Sequence, residues 1–78
     1  MLRELDSREN DRITVRLLWN DSAKIDPTVS EFQVKVIDAK EGERFSISLD
    51  TFNAAREAYF HPYGVRDSLL KSGKVAAN

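Results

Sequence analysis

His61 is the only histidine in the chain, and with Asp67 and Ser68 nearby it supplies the residue types of a nucleophilic triad. A triad needs its base within hydrogen-bond reach of a nucleophile presented by a motif such as G-x-S-x-G. No such motif surrounds Ser68. His61 instead stands before Pro62 at the end of an apolar-striped segment, where an imidazole caps a carbonyl or meets the negative end of a helix dipole. Metal chemistry has no ligand set to build on. Cysteine is absent, and the carboxylates are not set at calcium-loop spacing. The three glycines are isolated, so no loop is built to cradle a phosphate. The chain reads as non-enzymatic, with no cofactor and no metal.

The remaining chemistry is binding. Twelve Lys and Arg face thirteen Asp and Glu, a formal net charge of −1, so no whole-molecule field draws the chain to nucleic acid or membrane. Electrostatic function has to come from arrangement. With 78 residues the chain makes one domain near the lower limit for an unaided core. A secreted domain of this size would normally carry disulfides, so its lack of cysteine points to the cytoplasm. The N-terminus has no signal-peptide apolar stretch, and no segment reaches membrane-spanning length.

Strands must position the charges. Residues 12–19 alternate apolar and polar and are rich in β-branched types, which predicts a half-buried strand. Ile13, Val15, Leu17 and Trp19 share its inner face. Residues 30–38 predict a second strand, with Phe32, Val34 and Val36 inward. Lys40-Glu41-Gly42-Glu43 reads as a hairpin loop in which Gly42 takes positive φ. A third strand over 44–49 turns Phe45, Ile47 and Leu49 inward. Asp50 or Thr51 then caps a helix whose stripe is Phe52, Ala55, Ala58 and Tyr59. Pro62 ends that helix. Val65 to Lys71 reads as a short helical extension.

The expected fold is α+β: a three-stranded antiparallel β-meander packed against one α-helix, with a short C-terminal helical extension. Residues 1–11 read as a mobile N-terminal arm, 12–72 as the domain and 73–78 as a frayed tail. Trp19, Phe32, Phe45, Phe52 and Tyr59 are all expected in the core, so they do not serve as stacking platforms for single strands.

Two surfaces are left. Leu18, Ile37, Phe60, Leu69 and Leu70 have no place in this arrangement, and Phe60, Tyr63, Leu69 and Leu70 are the expected contact surface for a protein partner or for a second copy in a homodimer. The outer sheet face carries Arg12, Arg16, Lys35 and Arg44 against Glu31, with Gln33 and Ser46 between them. A basic sheet rich in donors is the alternative, a surface for duplex DNA.

Leu17-Leu18-Trp19, Asp38 with Gly42, and Phe60-His61-Pro62-Tyr63 together resemble a set of small uncharacterised actinobacterial proteins. Those chains have a strand ending in LLW and a helix closing on F-H-P-Y. The resemblance covers about residues 13–63 and implies the same small α+β fold, with no activity attached. The run Phe45 to Tyr59, with Thr51-Phe52, Ala54-Ala55 and Glu57-Ala58-Tyr59, looks like the strand-to-helix junction of AP2-type and phage-integrase arm-binding domains. That likeness implies duplex DNA read by a three-stranded sheet, although the Gly and Trp that such sheets often carry are missing here.

Overall fold

The computed structural model describes residues 2–26 and 28–71. Four strands, β1 (Leu2–Asn10), β2 (Ile13–Asn20), β3 (Phe32–Asp38) and β4 (Glu43–Leu49), form one antiparallel sheet in the order β1-β2-β3-β4. Two helices follow, α1 (Phe52–Phe60) and α2 (Pro62–Lys71). The fold is α+β, but the sheet has four strands rather than three and the second helix is as substantial as the first. The tail expected over 73–78 lies outside the described residues.

The extra strand comes from the segment expected as an arm. Every residue of β1 is exposed, so burial imposes no apolar alternation on it, and Leu5 sits in a register shift between Glu4 and Asp6 that breaks what period there is. The strand is held by its backbone ladder and by cross-strand pairs. Arg16 Nε donates to Glu4 at 2.7 Å, and the Thr14 hydroxyl to Glu9 at 3.1 Å.

Asn10 pairs with Ile13, leaving a two-residue loop of Asp11 and Arg12. Both have positive φ, 51° and 66°, as the tight hairpin turn that matches strand twist requires. Arg12 occupies the position where glycine is usual, which places it in the turn rather than on the sheet face expected for it. Arg12→Gly is expected to stabilise the fold by roughly 0.5–1 kcal/mol by relieving left-handed strain. A higher urea midpoint with unchanged slope would show it.

The inner face follows strand parity. Val15, Leu17, Phe32, Val34, Val36, Ile47, Leu49, Ala55, Ala58 and Tyr59 form the buried cluster, with Ile13, Trp19, Phe45, Tyr63, Val65 and Leu69 packed around it. Phe52 departs from its expected core place. It is 52% exposed, its ring forming a T-shaped pair with Phe32 at 5.8 Å between centroids. Leu18 is buried although parity puts it on the face away from the helices.

Thr51 caps α1, its Oγ1 accepting the Ala54 N–H at 3.1 Å. His61 then serves two helices. Its N–H donates to Glu57 O at 2.9 Å, closing α1, and its carbonyl accepts the Val65 N–H at 3.0 Å, opening α2. Pro62 is the first residue of α2, where its missing N–H costs nothing and its fixed φ suits the turn. The same residue that stops one helix therefore starts the next. Gly42 has φ 70°, as its loop requires.

Candidate functional site: a groove at the helix corner

Helix α1 lies across β2, β3 and β4, so the inner side of β1 stands clear as a wall. Arg8 and Asn10 project from it, beside Val15 and Ile13. The opposite wall is the α1–α2 corner, Phe60 through Gly64. Between them is an open groove of about 460 Å³ lined by both walls and by Asp11. Ile13, Val15 and Pro62 supply an apolar lining; Arg8, Asn10, Asp11 and His61 supply the polar groups.

One cation fixes the two walls together. Arg8 Nη2 donates to the carbonyl of Tyr59 at 2.8 Å, and its guanidinium lies 5.3 Å from the centre of the Tyr59 ring. That carbonyl belongs to the last turn of α1, where carbonyls lack helical donors and a positive charge is favoured.

Phe60 is 53% exposed at the groove. Its ring meets Tyr59 edge-on at 5.3 Å and the Arg56 guanidinium at 5.8 Å. An aromatic held between two neighbours loses little side-chain freedom on binding, which suits an interaction anchor.

The four residues expected to form the protein-contact surface do not lie together. Phe60 and Tyr63 line the groove. Leu69 packs on the core edge and Leu70 is half-buried further along α2. Tyr63 is also committed internally. Its hydroxyl donates to Asp38 Oδ2 at 2.8 Å, and its ring meets Phe45 at 5.4 Å and Arg66 at 5.1 Å.

On the outer sheet face, Arg16, Lys35, Arg44 and Ser46 surround a depression of about 270 Å³. Arg16 and Lys35 are direct cross-strand partners, and among the described residues neither Lys35 nor Arg44 has an ion pair. Gln33 lies one row away, opposite Ser48. By register β1 adds Glu4 and Glu9 to this face. Three sheet cations therefore share the face with two acids brought by β1.

Comparison with protein-family models, with curated proteins and with solved structures finds no match to this chain. Arg8, Asn10 and Asp11 were not among the residues expected to matter. Asn10-Asp11 before a β-branched run is hairpin-turn chemistry, and that was the available signal.

Proposed function

We propose that this chain is a non-enzymatic protein-interaction module that receives an apolar side chain of a protein partner in the groove at the helix corner. The observation that carries the reading is Phe60, an exposed but restrained aromatic standing beside an apolar recess with charged and amide groups at hand. Buried anchors of this kind, ringed by polar contacts, supply most of the energy of small interfaces. The volume accommodates one large side chain and the backbone beside it.

Random peptides displayed on phage and selected on the full chain provide the probe. Peptides with an apolar anchor are expected, and Phe60→Asp should weaken them at least tenfold, about 1.4 kcal/mol, while thermal unfolding stays cooperative. Selected peptides that bind the variant as tightly as the parent would overturn the groove as the site.

A second reading is supported by the outer depression. Like charges directly opposed across strands are unfavourable, and Arg16 opposite Lys35 with Arg44 nearby gives phosphates a place to bind. Duplex DNA would then lie across β2, β3 and β4. Titration of labelled chain with a short duplex should move Arg16, Gln33, Lys35 and Ser46. With three phosphates contacted, log affinity should fall with log salt at a slope of about −2.7. Unmoved signals at low salt would end this reading.

A further inference from the structure

The two edges of the sheet are built differently. On β1 the row is broken by the register shift at Leu5, and Arg3, Glu4, Asp6, Arg8 and Glu9 are all charged. The Ser7 N–H is moreover taken by the Asp6 carboxylate at 2.9 Å. Charges, bulges and occupied donors are the devices by which edge strands avoid pairing with other chains. The other edge, β4, has none of them between Phe45 and Leu49: no charge, no proline and an unshifted register with β3.

The backbone of β4 can be assigned a direction. Ile47 is wholly buried, at 0% exposure, so its N–H and C=O do not stand at the open edge and must face β3. Successive residues of a strand point their backbone groups to opposite sides. The outward groups therefore belong to Arg44, Ser46 and Ser48, all three of which are exposed.

We propose that β4 is a self-pairing edge, joining antiparallel to β4 of a second copy about a two-fold axis at Ser46. In that register Ser46 faces its own counterpart and Arg44 faces Ser48 of the other copy. All three residues then satisfy both outward backbone groups, and no charge is set directly opposite a like charge. An axis on Phe45 or Ile47 would leave Ser48 opposite Gly42 or Arg44 opposite Asp50, outside the strand Glu43–Leu49, and an axis on Arg44 would oppose two guanidinium groups. The occupant is a second copy because this register alone pairs Arg44, Ser46 and Ser48 among themselves within the strand, an isologous contact that closes as a dimer. The surface is separate from the groove, so neither proposal depends on the other.

Sedimentation of the full chain from micromolar to millimolar concentration tests it. A mass rising to twice 8.9 kDa is expected, with Ser46→Lys weakening association at least tenfold and Phe60→Asp leaving it unchanged. Mixing the Ser46→Lys and Ser46→Glu variants should restore the dimer. If Ser46→Lys does not fold, contacts between labelled and unlabelled parent chains at the Ser46 amide decide the matter instead. A mass that stays at 8.9 kDa throughout, or a dimer without those contacts at Ser46, would overturn the proposal.

Discussion

Asp38→Ala is expected to destabilise the fold more than any other polar substitution among the described residues. Asp38 ends β3 and is 4% exposed, the one buried charged residue in the sheet. Its Oδ1 accepts the N–H groups of Lys40 and Glu41, each at 3.0 Å, and its Oδ2 accepts the Tyr63 hydroxyl at 2.8 Å. One carboxylate thus shapes the β3–β4 turn and ties α2 to the sheet. Alanine would leave two backbone donors and a phenol without their acceptor, and such orphaned groups cost more than the bond itself gains. Tyr63→Phe removes only one of the three and should cost about 1 kcal/mol. Thermal melts should rank the parent above Tyr63→Phe and both well above Asp38→Ala.

The pH dependence follows from the same cluster. The Glu41 N–H, and after it the Tyr63 hydroxyl, holds the Asp38 carboxyl below its ordinary 3.8. A depressed acid contributes stability above its unfolded value and loses it as pH falls through the folded one, so this contribution should disappear below about pH 4. Tyr63 behaves oppositely. Burial, and then Asp38, pushes its phenol up to about 12 from 10.0. Its contribution is complete below pH 10 and is lost as pH rises from there through about 12. Burial raises Tyr59 as well, so Tyr63→Phe should lessen the alkaline loss and leave a remainder. An alkaline limb identical in parent and Tyr63→Phe would contradict the assignment.

Ile47→Ala is the second large effect. Ile47 lies opposite Val34 with both side chains fully buried beneath the helices, so truncation leaves a cavity that cannot fill from solvent. Such substitutions cost about 2–5 kcal/mol. A domain of this length has roughly 4–12 kcal/mol in total, so the variant should lose much of its stability. With a urea slope near 1.5 kcal/mol/M, the midpoint should drop by about 2 M. Ser48→Ala, next to it on the exposed face, should stay within about 0.5 kcal/mol of the parent. Equal midpoints for the two variants would contradict the assigned faces of β4.

The segments legible in the sequence were those that burial had written there. Ile13-Val15-Leu17, Phe32-Val34-Val36 and Phe45-Ile47-Leu49 alternate because one face is core, and Ala55-Ala58-Tyr59 repeats at helical spacing for the same reason. Where burial is absent the pattern is silent. β1 is exposed on both faces and shifts register at Leu5, so nothing in its apolar residues marks it as a strand. The groove was hidden with it, because one wall is β1. Asp38 was read as the end of a strand before a turn; its tie to Tyr63 joins residues 25 positions apart, which local pattern does not reveal. Phe52 failed in the other direction. Its position on the stripe is helical, but its ring meets Phe32 at an edge and stays half exposed.

The groove and the acids of the outer face both depend on β1 being a strand locked to the end of α1. Proton NMR of the full chain measures this directly. Cross-strand contacts are expected for Glu4 with Leu18, Ser7 with Arg16 and Glu9 with Thr14, together with contacts from Arg8 to the Tyr59 ring. Random-coil shifts over residues 2–10, with no contact between Arg8 and Tyr59, would contradict it.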